Sequence, residues 1–407
     1  MRILVLTPEI PATSSMPGSP RVFNLCRFLS KNHALSLITG SQLKGRRQLF
    51  SEDPSVSGVF QSVTYLPEEP APTWWNKQKQ RLRFAPYFIT EFWKPEYHQN
   101  VLDIVRKELK GPPSVDLLYV DCLMPAQYAK PFRGLPIVAD IHDSLTLLQR
   151  RLLKGHRGPS HKLRLYLALR GIQKLESTLH SFCDLVITNS SVDEAVIKEL
   201  SPAGDTLTIT NGVDMDYFAA TADEPEAGDR LVFTGVMGYG PNEDAALYFG
   251  REIFPLVRAN FRKAEFWVVG ANPSTAILAL ASQPGIHVTG GVDDIRPYLA
   301  KATIFVCPLR YGAGIKNKLL AAMAMGKAII ATPLSLEGID VCPEEDVLVA
   351  DSIQDFVRQI GRLLSDKELS RRLGERGRKL VSDRYSWSSR GEVLESRLRK
   401  LVAEHGT

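Results

Sequence analysis

Apolar residues in this chain come in short unbroken runs set between helical patterns. Runs at 3–7, 34–39, 117–120, 137–140, 185–188 and 206–210 predict six strands. A second series at 231–234, 265–269, 287–289, 304–307, 328–331 and 347–350 predicts six more. The runs do not alternate apolar with polar, which is the pattern of strands covered on both faces and hence of parallel sheets flanked by helices. Two such series predict two doubly wound domains. Between them, residues 219–229 are small, polar and acidic with no apolar period, a linker composition. The expected division is 1–214 for the first domain, 215–229 for the linker and 230–386 for the second. A C-terminal helix at 387–407 shows Val393, Leu394, Leu398 and Leu401 on one face.

Composition narrows the function classes. Hydrophobic residues make up 44% of the 407 and charged residues 23%, enough apolar side chain for more than one core. The net charge of +5 is too small to mark a nucleic-acid binder. The five cysteines are scattered without CxxC spacing, against a disulfide framework or a zinc knuckle. The N-terminal apolar run is closed by Pro8 and Glu9 and reads as a strand, not a secretion signal. No apolar stretch is long enough to span a bilayer. A cytoplasmic protein is expected, with the inner face of the membrane as a candidate contact. The contact would use the basic 150–174 segment, where Arg150, Arg151, Lys154, Arg157, Lys162, Arg164, Arg170 and Lys174 are interleaved with leucines. A solvated helix face and an anionic partner surface both fit that segment. The aromatics Trp74, Trp75, Phe84, Tyr87, Phe88, Phe92 and Trp93 could line an acceptor groove or pack a helical insertion.

Three places carry candidate chemistry. The loop after the first strand runs to Gly18 and Ser19, with Ser19 placed as N-cap and Pro20 as first residue of the next helix. Doubly wound sheets bind ligands in such a loop. Gly18 is the sole glycine before Gly40, so the GxGxxG dinucleotide fingerprint is missing. The strand at 137–140 runs into His142-Asp143. A histidine at a strand's carboxyl end can contact a substrate hydroxyl or phosphate, and Asp143 can either orient it or cap the next helix. The third place is Gly312-Ala313-Gly314-Ile315-Lys316-Asn317-Lys318, a glycine-rich turn opening a helix near Ile315 that closes at Gly326. Open backbone N–H groups and two lysines at a helix N-terminus, where the dipole disfavours cations, suggest an anionic ligand such as a diphosphate.

Several pieces in order resemble one family. They are the N-terminal strand and loop to Gly18, Lys174-Leu175-Glu176, Asp184-Leu185-Val186-Ile187-Thr188-Asn189-Ser190, Ile209-Thr210-Asn211-Gly212-Val213-Asp214-Met215-Asp216-Tyr217-Phe218, Phe233-Thr234-Gly235-Val236-Met237 with Pro241-Asn242-Glu243-Asp244-Ala245, and Val292-Asp293-Asp294-Ile295-Arg296-Pro297-Tyr298-Leu299. The stretch from Gly312 to Thr332 completes the series. The chain is similar to glycosyltransferase family 4, closest to the exopolysaccharide-type sugar transferases. The resemblance implies a GT-B fold, α/β, with two Rossmann-like domains facing a central cleft. It also implies retaining transfer from a nucleotide-diphospho-sugar to a hydroxyl of a glycan or lipid-linked acceptor, with no cofactor and no metal. On it, His142, Lys318 and Lys316 are catalytic. Gly235, Val236, Ala313, Gly314, Ile315 and Ala321 meet the donor, and Gly18, Ser19, Asp143 and Asn189 line the acceptor side. The family usually carries glutamate where Ala321 stands. A catalytically degraded nucleotide- or glycan-binding relative, or a nucleotide-sugar epimerase on the same fold, are the alternatives.

Overall fold

The computed structural model describes residues 1–13, 20–40, 46–69, 94–111, 114–155, 159–219, 228–312 and 314–405. Gly18, Ser19, Ala313, the aromatic run from Trp74 to Trp93 and most of the expected linker lie outside them. The chain divides into two compact units, Met1–Thr210 with Arg390–Thr407, and Asn211–Ser389. The short helix Met215–Ala219, read from sequence as linker, thus counts with the second unit.

The first unit is built on a seven-stranded sheet of order β3-β2-β1-β4-β5-β6-β7 in which every registered pair is parallel. The strands are β1 (Arg2–Thr7), β2 (Ala34–Thr39), β3 (Ser62–Tyr65), β4 (Leu117–Asp121), β5 (Ile137–His142), β6 (Leu185–Thr188) and β7 (Thr206–Thr208). The unbroken apolar runs follow from burial on both faces: β4 and β6 are buried at every position and β5 at all but His142. β3 was not foreseen, because this edge strand is exposed or half-buried throughout and shows no apolar run. The strand order reverses between β1 and β4, so the carboxyl ends of these strands flank the crevice where such sheets bind ligands. The helix Arg21–Leu29 follows β1. Its N-cap is Pro20, one residue later than expected.

In the terminal helix Trp387–His405, Leu394, Leu398 and Leu401 are buried as expected, but Val393 is exposed. Glu395 takes the next turn, where its carboxylate meets His33 Nε2 at 2.9 Å. A Cβ on Gly391 would lie 2.2 Å from the ring of Phe28, so only glycine lets the helix approach this closely.

The second unit carries a six-stranded parallel sheet of order β10-β9-β8-β11-β12-β13. Its strands are β8 (Arg230–Thr234), β9 (Glu265–Val269), β10 (Ile286–Gly290), β11 (Ile304–Cys307), β12 (Ala328–Ala331) and β13 (Leu348–Val349). Phe249, Phe254, Phe266 and Phe356 are buried together, with ring centroids of Phe249 and Phe266 4.6 Å apart. Each buried ring contributes about 1.5–3 kcal/mol by leaving water. The helix after the glycine-rich turn is Asn317–Ala324, two residues shorter at its start than expected, with Lys316 at the N-cap. Gly326 ends it with φ 67°, the left-handed conformation that glycine adopts without strain.

Candidate functional site

The second unit gathers its predicted donor residues around β8 and the helix Asn317–Ala324. Gly235 follows β8, and its amide donates to Val269 O at 3.0 Å. A side chain there has no room: a Cβ would stand 2.7 Å from Asn242 Nδ2 and 2.9 Å from Lys318 Nζ. Asn242 sits in the first turn of the helix Gly240–Tyr248. Its Nδ2 donates to Val236 O at 2.9 Å, and its Oδ1 accepts from Lys318 Nζ at 2.5 Å. Lys318 also lies over the ring of Phe233, 4.4 Å from its centroid. Lys316 is buried, and its ammonium donates to Gly314 O. Gly312 and Gly314 have φ of 141° and 70°, so the turn between Tyr311 and Lys316 runs through conformations that side chains resist.

The electrostatics of this cradle are unbalanced. Lys318 donates to a neutral amide oxygen instead of a carboxylate. Burial pushes its amine down from 10.5 to about 8; Cys307 opposes the shift and the positive charge of Lys316 adds to it. A lysine held this way gains most from a ligand that brings negative charge. The loop leading into the turn is fixed by Arg310, whose fork grips Asp244 at 2.9 and 2.5 Å and stacks over Tyr248. Thr332 and Ser335 hydroxyls donate to Leu309 O and Cys307 O, both at 2.7 Å, pinning the end of β11. Asn211 Nδ2 reaches Asn317 Oδ1 at 2.9 Å, and a Cβ on Gly212 would lie 2.7 Å from Trp387, which explains the Asn-Gly pair. Ala321 is 6% exposed and, like Ile315 before its helix, belongs to the buried apolar core of the second unit.

The first unit places His142 at the carboxyl end of β5 with φ 62°, an uncommon conformation for a non-glycine residue. Its Nε2 lies 2.7 Å from Asp121 Oδ1 at the end of the neighbouring β4. Burial opposes a charge on the imidazole, but Asp121, with help from Asp140, outweighs it and holds the group above its ordinary 6.5. Asn189 joins the site from the end of β6: its amide donates to His142 O at 2.6 Å and its Nδ2 to Asp143 Oδ1 at 3.3 Å. The next helix is capped by Ser144, whose Oγ accepts from Leu147 N at 3.2 Å, and by Glu176, which accepts from Leu145 N at 2.8 Å and from Ser144 Oγ at 3.1 Å, and not by Asp143. Asp121, Cys122 and His142 bring their ligand atoms within 4.8 Å of one another. Burial, then Asp121 and Asp140, push the Cys122 thiol well up. Asp121 and His142 of this trio form an ion pair with each other at 2.7 Å.

Residues 228–366 match the family described as "Glycosyl transferases group 1". The match includes Gly235, Asn242, Lys316 and Lys318 and lies within the second unit. A curated relative, an uncharacterized glycosyltransferase of Methanocaldococcus jannaschii, is 29% identical over 124 residues, spanning 29% of this chain and 31% of the relative's length. Sucrose-phosphate synthase of Thermosynechococcus elongatus superposes with a TM-score of 0.68 at 16% identity, covering 99% of this chain and 100% of that one. The Anabaena protein HepE in complex with UDP gives 0.62 at 14% identity, covering 98% and 100%. The fold is GT-B.

On this GT-B frame the structure brings Gly235, Val236, Gly314, Lys316 and Lys318 into one neighbourhood and His142, Asp143 and Asn189 into another. Sequence reasoning placed Asn242 in a piece that resembles the family but gave it no role; it links Gly235 to Lys318. The same reasoning missed Asp121, Asp140, Tyr119 and Arg21, the partners behind His142. A signal existed for Asp121: it is the first residue past the apolar run at 117–120 and the last residue of β4, as His142 is the last of β5. None existed for Arg21, which has no exposed surface although it opens a helix.

Proposed function

We propose that the chain is a retaining glycosyltransferase of family 4 type. It moves a sugar from a nucleotide-diphospho-sugar to a hydroxyl of a glycan or lipid-linked acceptor in cell-surface polysaccharide synthesis. The observation that carries the reading is the cradle of Gly235, Gly314, Lys316 and Lys318, whose Lys318 meets an amide oxygen and no carboxylate among the described residues, in the segment that matches the family. The donor diphosphate supplies the missing charge. As the bond between the anomeric carbon and the phosphate oxygen breaks, Lys318 and Lys316 stabilise the charge on the departing diphosphate. The acceptor oxygen forms its bond to the same face of the sugar and loses its proton to a departing phosphate oxygen. Two cations, Lys316 buried and Lys318 half-buried, fill the role a divalent ion has elsewhere, so transfer needs no added metal. His142, held by Asp121, contacts the sugar; Val236, Ile315 and Ala321 line the donor; Asp143 and Asn189 line the acceptor side. Ala313, Gly18 and Ser19 keep the roles that the resemblance gives them.

No helix among the described residues is long and apolar enough to cross a membrane. In the helix Pro159–Thr178, Leu163 and Tyr166 are exposed beside exposed Lys162, Arg170 and Lys174, which supports contact with an anionic membrane surface. Sedimentation with anionic but not with neutral vesicles tests that contact. The transfer reading is tested by release of nucleoside diphosphate from a donor panel with crude lipid or glycan acceptors, with and without a chelator. Release that requires acceptor and survives chelation supports it. A second reading, a binding protein without turnover, is favoured by the apolar Ala321. It predicts donor binding without release. Conversion of the donor with no acceptor present would instead indicate an epimerase.

A further inference from the structure

Arg21 opens the helix after β1, yet its side chain is fully buried. Its Nε and Nη2 donate to the two oxygens of Asp140 at 2.9 and 3.1 Å, and its Nη1 donates to Ile209 O at 2.7 Å. Tyr119 OH donates to Asp140 Oδ2 at 2.6 Å. Asp140 is the register partner of Asp121 across the β4–β5 pair, and Cys122 N donates to Asp140 O at 2.8 Å. Two residues further on, after a register irregularity, stands His142. One guanidinium therefore ties the helix start, β5 and the segment after β7, while Tyr119 ties in β4.

The cluster places two carboxylates, Asp121 and Asp140, side by side beneath one imidazole. Left to themselves, both could attract a proton or compete for His142. Arg21 removes that ambiguity because a planar fork binds one carboxylate in two-point geometry and never loses its proton. We propose that Arg21 and Asp140 are positioning residues for His142: their bidentate pair neutralises the second carboxylate and fixes the end of β5, leaving Asp121 as the acceptor for the imidazole. The inference rests on the reading that His142 contacts the sugar during transfer. It adds the residues that set the orientation and proton affinity of that group.

The charged and titratable groups facing this cluster are Asp121 and Tyr119 from β4, Cys122 just after it, Asp140 from β5, Arg21 and Cys26 from the helix, and Asp143 next in the chain. The signs follow from this arrangement. Arg21 works against a proton on His142, and Asp140 works for it. Removing either should move the imidazole in opposite directions, which loss of packing alone would not do.

The test is a side-chain nitrogen NMR titration of histidine-labelled full-length protein, with His142 assigned by His142→Gln, alongside steady-state kinetics. Arg21→Met should raise the His142 midpoint and Asp140→Asn should lower it, each by about half a pH unit or more. Both should cut kcat by about tenfold or more while donor KM stays within about threefold. Folded variants with an unmoved midpoint would overturn the proposal and leave the pair a purely structural one. If those variants fail to fold, Arg21→Lys keeps the charge but loses the fork. It should lower kcat and alter the imidazole tautomer pattern, and an unchanged kcat with an unchanged pattern would equally overturn the proposal. Full transfer by His142→Gln would remove the sugar-contact role on which the proposal rests, and the proposal with it. Opposite midpoint shifts in that case would still establish the charge coupling.

Discussion

The two units treat buried charge in opposite ways. In the first, Arg21, Asp140, Asp121 and His142 are matched within the protein: each carboxylate faces a cation at hydrogen-bond distance. In the second, Lys318 is held by an amide oxygen and a ring face, with Lys316 as a like-charged neighbour. The first arrangement is complete without a ligand and orients a group. The second is electrostatically unfinished, and a nucleoside diphosphate would finish it. On the proposed function, one unit orients a group and the other neutralises the charge of a leaving group.

Breaking the complete cluster should have the largest effect on stability. Asp140→Asn or Arg21→Met leaves a buried partner uncompensated, a loss of about 3–5 kcal/mol. Calorimetry should show a lowered first unfolding transition, and variants that melt like the wild type would show the pair to be energetically idle. Asp140 is held below its ordinary carboxylate value: burial raises it, but Arg21 outweighs burial. Its contribution to stability is therefore present above the unfolded value and lost as pH falls through the lower folded one. The wild-type melting temperature should drop in acid through this group, and Asp140→Asn should lack that part of the drop.

Breaking the unfinished cluster should spare stability and remove turnover. Lys318→Ala is expected to cost about 2–4 kcal/mol in transition-state stabilisation, seen in kcat more than in KM. It should leave the melting temperature unchanged or raise it, since a desolvated cation is lost. Near-wild-type turnover in this variant would sink the role given to Lys318.

Gly235→Ala sharpens the contrast on a smaller scale. The new methyl meets the Asn242 amide and the Lys318 ammonium, and crowding of this kind costs about 1–3 kcal/mol. Donor affinity should fall in titration calorimetry, whereas the His142 titration in the other unit should stay where it is. The smallest effect is expected for Arg310→Ala. Its pair with Asp244 is largely solvent-exposed, so stability should change by no more than about 1 kcal/mol. Donor KM should rise modestly as the glycine-rich loop loses its anchor, and an unchanged KM would remove that anchoring role.

The sequence made the sheets legible because strands buried on both faces must be apolar throughout. It hid β3, since an edge strand with solvent on one side needs no such run. His142 was legible from its place at a strand end, and the lysines were legible because they stand where a helix dipole disfavours them. Arg21 was not. An arginine at the start of a helix reads as solvated, and only Asp140, 119 positions away, shows why it is buried. The role of Asn242 was hidden in the same way, because its partner Lys318 is 76 positions distant. Residues that break a local rule can be read from sequence, and the partners that hold them are set by tertiary pairing.

On the proposed function, the second unit's lysine cradle binds a nucleoside diphosphate. This binding is tested most directly by calorimetric titration of the wild type and Lys318→Ala with a nucleoside diphosphate panel at pH 7 and pH 9. With the free lysine titrating at about 8, the account predicts wild-type binding that weakens about tenfold between the two pH values. It predicts much weaker, pH-insensitive binding in Lys318→Ala. Wild-type affinity that ignores pH and survives loss of the lysine, or no binding by any member of the panel, would contradict it.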